Sequence, residues 1–189
     1  MQLKPTSLPG VVEIVPIRHG DARGYFAETF RADWFEKNVA PFVFVQENES
    51  LSRQAGVVRG LHFQSAPFAQ GKLVRCASGA IFDVAVDIRT GSPHFGRWVG
   101  VTLSAAEGNQ LWVPPGFLHG FCTLTGEVVV SYKVTAYYSR DDDRGVRWDD
   151  PDIGIRWPDI ADSALMSEKD RRQPSLAELP GYFSYQGER

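Results

Sequence analysis

Two histidines stand in segments whose residue pattern is typical of β-strands, and they are the first candidates for chemistry. His62 lies in residues 57–64, where Gly60, His62 and Gln64 share one strand face because side chains alternate. The leucine and phenylalanine between them take the other face. A face of glycine, histidine and glutamine is unlike a dry core, so it predicts a ligand cavity. A hydrogen-bonded core histidine is the alternative.

The second histidine, His119, follows a loop whose spacing resembles a known half-motif. Gly108, Pro114, Gly116 and His119 are spaced as in the second half-motif of the cupin superfamily, a small jelly-roll β-barrel. In metal-binding cupins, that histidine joins an HxH pair and a carboxylate. Here Gln64 stands where the second histidine of such a pair would be, and two isolated histidines are a poor metal shell. The pattern therefore predicts the barrel and no metal site.

The apolar segment at residues 128–138 contains two phenols. Alternation places Tyr132 and Tyr138 on the same face as the valines at 128, 130 and 134, which predicts an interior wall. A buried tyrosine most often packs and makes one hydrogen bond. A phenol can equally act as a general acid, so both roles stay open for Tyr132.

Three cations, Arg23, Arg59 and Lys72, lie on or beside the predicted cavity strands. Each taken alone is best explained as a solvated surface charge. Taken together they indicate a bound phosphate, because arginine forks match phosphate oxygens.

Short segments rich in β-branched and aromatic residues recur along the chain, with glycine and proline between them. This pattern predicts an all-β sandwich or barrel with a few short helices. The predicted strands are residues 11–17, 25–30, 42–46, 57–64, 73–77, 81–88, 98–103, 110–113, 121–124 and 128–138. The predicted helices are residues 31–39 and 175–179. We expect one domain, residues 1–189, with a tail from about residue 150 that packs on the barrel.

Charge and composition exclude several classes of protein. With 20 Lys+Arg against 23 Asp+Glu, the formal charge is −3, which argues against a nucleic-acid binder. Cys76 and Cys122 fit no disulfide or zinc pattern and are expected to be reduced core thiols. No signal peptide or membrane span is recognised, so we expect a cytoplasmic protein without a membrane partner.

Five segments in register resemble one family, the dTDP-4-dehydrorhamnose 3,5-epimerases, which are cofactor-free enzymes of cupin fold. The resemblance extends from about residue 5 to residue 172. The segments that carry it are residues 58–64, 71–74, 114–121, 132–135 and 167–170. It implies epimerisation at C3 and C5 of dTDP-4-dehydro-6-deoxy-D-glucose, by proton removal next to the C4 ketone and reprotonation from the opposite face.

The resemblance also implies roles for individual residues. His62 is the expected base, Asp170 its orienting carboxylate, Tyr132 the acid and Lys72 the cation that stabilises the enolate. No cofactor is expected. The residues expected to bind the substrate are Arg23, Glu28, Gln46, Glu47, Asn48, Arg59, His119, Tyr138, Asp143 and Lys169. Glu47 and Asp143 depart slightly from the family pattern, which commonly has aspartate at the first position and glutamate at the second.

Alternatives remain for the role of Asp170 and for the activity of the protein. Ser167 and Asp170 also fit a capping box that opens a helical turn. A mono-epimerase of an antibiotic deoxysugar, inverting C3 or C5 alone, is the nearer functional alternative. A metal-using or non-catalytic sugar-binding cupin is the farther one. A homodimer that exchanges early strands is expected from the family.

Overall fold

The computed structural model describes residues 1–187 and is built mainly of β-strands. The strands are β1 (Gln2–Pro5), β2 (Val12–Val15), β3 (Arg18–Asp21), β4 (Gly24–Ala27), β5 (Gln46–Ser52), β6 (Val58–Gln64), β7 (Lys72–Ser78), β8 (Ala80–Asp87), β9 (Arg89–Thr90), β10 (Trp98–Ser104), β11 (Gln110–Val113), β12 (Phe117–Thr123), β13 (Val128–Val134), β14 (Asp143–Gly145) and β15 (Phe183–Ser184). The helices are α1 (Ala32–Asn38) and α2 (Glu168–Arg171), with 3₁₀ turns at Arg140–Asp142, Ser163–Leu165 and Leu176–Glu178. The all-β prediction is confirmed.

Two large antiparallel sheets form the barrel. The first has the strand order β1-β2-β11-β7-β13-β5 and the second has the order β10-β8-β12-β6-β14. The apolar core lies between them, because alternation turns one face of each strand inward. Val74, Leu111 and Val130 enter this core from the first sheet, and Ile81 and Leu103 enter it from the second.

The outer face of the second sheet is covered by the segment that follows β14. Leu61 and Phe63 of β6 point to this side and are buried against Ile153 and Leu176. The sequence predicts such packing for the tail. As a result, β6 is apolar toward the tail and polar toward the interior.

The outer face of the first sheet is covered by α1 and the loop that follows it. Phe35 of the helix packs edge-on against Trp112 of β11, with ring centroids 5.0 Å apart. Phe44 meets both rings. The prediction of a strand at residues 42–46 is therefore wrong: apart from Gln46, which begins β5, these residues form the loop whose aromatic rings cover the sheet.

Three boundaries differ from the predictions in ways that affect the site. β5 was not predicted, β12 begins earlier than expected, and β13 ends at Val134 and not at residue 138. Beyond Val134, side chains take over the hydrogen bonds of the backbone: Gln70 donates to the Ala136 carbonyl and Gln64 to the Tyr137 carbonyl. Within residues 1–187, no helix is long and apolar enough to cross a membrane.

Candidate active site

His62 forms an ion pair with Asp170 at the wall of the cavity. The imidazole Nε2 lies 2.7 Å from a carboxylate oxygen of Asp170, and the two residues are 108 positions apart in the chain. β6 supplies the histidine and α2 supplies the aspartate. The side chain of His62 keeps 27% exposure while that of Asp170 has 6%, so the imidazole faces the cavity from a buried support.

The predicted helix cap and the predicted ion pair are both present. Ser167 caps α2 by accepting a hydrogen bond from the Asp170 backbone N–H at 3.1 Å. The Asp170 carboxylate is left to bond to His62, with a longer contact from the Gly60 N–H at 3.4 Å. The two roles do not compete, because they use different atoms of the aspartate.

The charge state of Asp170 fixes which nitrogen of His62 is free. Burial acts to raise the pKa of this carboxyl, but hydrogen bonds from His62, Gly60 and Ser167 and the attraction of the imidazole outweigh it, so the pKa lies below its usual value. A carboxylate only accepts hydrogen bonds, so Nε2 of His62 carries the proton. The lone pair of a neutral His62 is then on Nδ1, as a general base requires.

Gly60 allows the backbone to approach closely beside this pair. Its φ is +127°, and a Cβ at this position would lie 2.6 Å from the Cα of Gly120 in the neighbouring strand. The pairing of β6 with β12 is irregular at the same place. Any side chain here would push the two strands apart and move His62, so glycine is required.

Tyr132 reaches the same cavity from the other sheet. It lies on β13, while His62 lies on β6, so the phenol and the imidazole come from opposite walls. Burial raises the pKa of the phenol, and the negative charge of Asp143 adds to this, although Arg59 and Asn48 act in the opposite direction. Tyr132 is therefore protonated at neutral pH and can donate a proton.

Lys72 of β7 adds a half-buried cation to the wall that carries Tyr132. Its Nζ lies 3.5 Å from the His62 carbonyl oxygen. Burial lowers the pKa of the ammonium to about 8, partly offset by the charges of Asp143 and Asp83. The group is thus mostly cationic at neutral pH, close to the point at which it loses its proton.

The cavity has two connected compartments of about 480 and 440 Å³. These volumes are typical of small-ligand sites. Four of the predicted residues line both compartments, namely His62, Lys72, Tyr132 and Lys169. The first compartment adds Arg59, His119, Phe121 and Asp170, and the second adds Gln46, Asn48, Tyr138 and Asp143.

A second histidine–aspartate pair lies deeper, and the sequence predicted only half of it. His119 Nε2 is 2.8 Å from a carboxylate oxygen of Asp83, which is fully buried. His119 is the register partner of His62 on the adjacent strand. A signal for the aspartate was present: Asp83 and Asp87 share one face of an otherwise apolar strand, and buried carboxylates need partners.

The predicted binding residues in the cavity are held by hydrogen bonds. Arg59 donates to Ser52 Oγ at 3.1 Å and to the Leu51 carbonyl at 3.0 Å, so its guanidinium bridges the two sheets. The amide of Gln46 donates to Asn48 Oδ1 at 2.7 Å on the inward face of β5.

Asp143 binds two other side chains that line the second compartment. Lys169 forms an ion pair with this carboxylate, and the hydroxyl of Tyr138 donates to it at 3.2 Å. Tyr138 is mostly exposed, because the strand that was expected to bury it ends earlier.

Three predicted binding residues do not line the cavity of this chain. Glu47 lies between Gln46 and Asn48, so alternation turns it to the outer face, where it pairs with Lys133 at 2.7 Å. Arg23 lies in the turn between β3 and β4 and pairs with Asp21 at 2.6 Å. Glu28 follows this hairpin and lies 3.9 Å from Arg31. Of the residues 46–48, Gln46 and Asn48 thus line the cavity and Glu47 lies on the outer face.

Metal ligands do not gather in the described part of the chain. Among residues 1–187, no group of three or more His, Cys, Asp or Glu side chains is arranged to hold a metal ion. Each cavity histidine faces one aspartate.

The two facing sheets form a jelly-roll barrel of the cupin type, and its cavity has an imidazole and a phenol on opposite walls. A sequence model of the dTDP-4-dehydrorhamnose 3,5-epimerases matches residues 5–178. The chain belongs to this family.

Relatives support the assignment over nearly the whole chain. The dTDP-4-dehydrorhamnose 3,5-epimerase of Sinorhizobium fredii is 60% identical over 185 residues, covering 98% of this chain and 94% of its own. A crystal structure of the 3,5-epimerase of Legionella pneumophila in complex with dTDP-4-keto-L-rhamnose matches with a TM-score of 0.92 and 40% identity, covering 98% of this chain and 99% of the other. A more distant relative, the dTDP-4-dehydrorhamnose 3-epimerase of Streptomyces niveus, is 37% identical, covering 98% and 92%.

Proposed function

We propose that this protein is an isomerase that inverts C3 and C5 of dTDP-4-dehydro-6-deoxy-D-glucose and forms dTDP-4-dehydro-L-rhamnose. The observation that carries the proposal is the placement of a base and an acid on opposite walls of one cavity. His62 lies on the second sheet and Tyr132 on the first, and both line both compartments.

Inversion next to a ketone needs such a pair. The C–H bonds at C3 and C5 are both adjacent to the C4 carbonyl, so removal of either proton gives an enolate. His62 Nδ1 takes the proton from one face of the ring, and the hydroxyl of Tyr132 returns a proton to the other face. The C–H bond broken on one side is replaced by one formed on the opposite side, which inverts the centre.

The enolate needs a positive charge at its oxygen. The half-buried Lys72 ammonium lies beside the His62 carbonyl, where reduced solvent screening strengthens its attraction for an oxyanion. Acid, base and stabilising cation are then all side chains of the protein, and the proposed route uses no cofactor.

The remaining cavity residues supply groups suited to a nucleoside diphosphate. The Arg59 guanidinium and the Lys169 ammonium offer positive charge for phosphate oxygens. Gln46 and Asn48 present amide groups on the inward face of β5. Such groups can form hydrogen bonds with the polar edge of a nucleobase. His119 lines the first compartment and Tyr138 the second, and both can form hydrogen bonds with the substrate.

The assembly we propose is a homodimer, in the cytoplasm, in which the β3–β4 hairpin reaches toward the partner subunit. Phe26 and Tyr25 of this hairpin are 73% and 57% exposed, which is unusual for large apolar side chains. β5 lies at the edge of its sheet, so its outer side is open to a further strand. In such a dimer, Arg23 and Glu28 would bind the substrate held in the partner's cavity.

Turnover of dTDP-4-dehydro-6-deoxy-D-glucose in D2O tests the function. Each inverted carbon carries one hydrogen, so we expect two deuterium atoms per product molecule, at C3 and C5, and the L-rhamno configuration by NMR. One deuterium atom at C3 alone, as a 3-epimerase would give, would contradict inversion of both centres. Absence of exchange at both carbons would overturn the epimerase activity.

A further inference from the structure

Gln64 lies on the cavity face of β6, two positions after His62, and the proposed reaction gives it no role. The residue is buried, with 3% of its surface exposed. A buried primary amide has two N–H donors and an acceptor oxygen, and each of these groups needs a partner. The partners of Gln64 therefore indicate what the residue does.

All the hydrogen bonds of the Gln64 amide go to the backbone of two loops. Its Nε2 donates to the Phe68 carbonyl at 2.7 Å and to the Tyr137 carbonyl at 3.1 Å. Its Oε1 accepts from the Ser139 N–H at 2.9 Å. Both donors of the amide are thus occupied within the protein, which leaves no N–H for a substrate. Gln64 therefore acts on the neighbouring chain and not directly on a ligand.

The rim segment, residues 136–139, depends on side chains for its position. In the described part of the chain, the backbone of its first three residues forms no hydrogen bond with other backbone groups. Glutamine side chains take their place. Gln70 donates to the Ala136 carbonyl at 2.7 Å, and Oε1 of Gln46 accepts from the Tyr138 N–H at 3.1 Å. Together with Gln64, three glutamines hold this segment.

The rim segment brings Tyr138 to the substrate cavity. Tyr138 lines the second compartment, and its hydroxyl donates to Asp143 at 3.2 Å. Because 59% of Tyr138 is exposed, packing contributes little to its position. Asp143 is the register partner of Gln64 where β14 pairs with β6. The backbone of Gln64 thus fixes one side of the Tyr138–Asp143 bond, and its side chain fixes the other.

We propose that Gln64, assisted by Gln70, is a positioning residue that holds Tyr138 at the second compartment, where the phenol contacts the substrate. With the rim segment fixed beforehand, binding does not have to order it, and the affinity for the substrate is higher. This inference rests on the proposed function for the identity of the substrate. The hydrogen bonds of Gln64 can be tested without turnover.

Hydrogen–deuterium exchange of backbone amides, followed by NMR, is that test. Gln64→Met keeps the approximate length of the side chain and removes both donors and the acceptor. We expect the amides of Ser139 and Tyr138 to exchange at least about tenfold faster than in the wild-type protein. Exchange at the wild-type rate would overturn the proposal.

Asn109→Leu is the matched control. Asn109 is also buried, and at the turn between β10 and β11 it donates to the Thr102 carbonyl at 2.9 Å and accepts from the Ser104 N–H at 3.1 Å. We expect this variant to accelerate exchange at Ser104 and not at Ser139, and Gln64→Met to do the reverse. Acceleration of both amides in both variants would indicate a general loss of stability and would contradict a specific role.

Steady-state kinetics with dTDP-4-dehydro-6-deoxy-D-glucose connects these bonds to the proposed reaction. In Gln64→Met, we expect KM to rise about tenfold and kcat to fall less than about threefold, because the base and the acid remain in place. Asn109→Leu should keep both parameters. Faster amide exchange with an unchanged KM would overturn the role toward the substrate.

The outcome for the reaction itself is separate. A wild-type protein without turnover would end the proposed epimerase function. The same tenfold difference between wild type and Gln64→Met is then expected in the affinity for dTDP, measured by calorimetry, and its absence would overturn the positioning role as well.

A double-mutant cycle shows whether Gln64 acts through Tyr138. In a Tyr138→Ala background, Gln64→Met is expected to cause no further rise in KM, because the side chain that it positions is gone. Increases in KM that multiply would mean that Gln64 acts by another route, which would contradict the proposal.

Gln70→Met covers the case in which Gln64→Met does not fold. Gln70 is only half-buried, and its replacement removes a single bond to the rim segment. We expect exchange at the Tyr138 amide and KM each to rise about threefold, less than for Gln64. Wild-type values of both would overturn the positioning role of the two glutamines.

Discussion

The two histidine–aspartate pairs of the cavity have nearly the same bond and different surroundings. Both use Nε2, at 2.7 Å for His62–Asp170 and 2.8 Å for His119–Asp83. The two histidines are register partners on adjacent strands. The side chain of His62 is 27% exposed and that of His119 is 9% exposed, so only the first opens widely to a substrate.

The origin of each aspartate explains the difference. Asp83 lies on β8, inside the sheet, between β10 and the strand that carries His119. Asp170 lies on the four-residue helix α2, which reaches the edge of the cavity from the covering segment. The same pair of residue types is thus accessible from the cavity in one place and enclosed by the sheet in the other.

Of the changes that test the difference between the two pairs, loss of the His62 imidazole is expected to have the largest effect on kcat. In His62→Asn, kcat should fall by about 10³-fold, because the amide of asparagine cannot act as a general base. Deuterium exchange at C3 and C5, followed by NMR, measures the step directly. Calorimetric titration with dTDP is the control and should show near-normal affinity. Persistent exchange would remove His62 from the role of base.

Loss of the deeper imidazole should be milder and of a different kind. In His119→Asn, we expect KM to rise about tenfold, the effect of one hydrogen bond, while exchange at both carbons persists. Steady-state kinetics separates the two parameters. If exchange disappears as completely as in His62→Asn, the two pairs share the proton transfer and the distinction between them fails.

The smallest effect is expected from the helix cap that supports Asp170. Ser167→Ala removes the acceptor for the Asp170 N–H, which costs about 1 kcal/mol. We expect kcat to fall a few-fold as the carboxylate loses its fixed position under His62. Ser175→Ala is the matched control, since Ser175 bonds to Glu178 at another turn away from the cavity. An equal loss of kcat in both variants would mean that general stability, and not the position of Asp170, is responsible.

Local alternation was sufficient to predict the strand that carries the base. In β6, the period of two separates His62 from the apolar Leu61 and Phe63, and the structure buries the latter two under the covering segment. The role of His62 as base stays a prediction. The all-β fold followed from the same short-range signal repeated along the chain.

Features that depend on distant partners were harder to predict. β5 has polar residues on both faces, so no apolar alternation marks it as a strand. Tyr138 lies outside a strand because the side chains of Gln64 and Gln70 take the backbone hydrogen bonds that β13 would need to continue. The bond of Asp83 to His119 depends on the register of β8 against β12, which one sequence does not contain.

The order in which the chain is synthesised gives the covering segment a further significance. The strands with both histidines emerge from the ribosome before residues 146–183, which bury Leu61 and Phe63 and carry Asp170. Until those residues emerge, the second sheet exposes an apolar face and His62 lacks its carboxylate. A nascent chain therefore completes the His62–Asp170 pair late in synthesis, and a product truncated before α2 would lack Asp170 and be prone to aggregation.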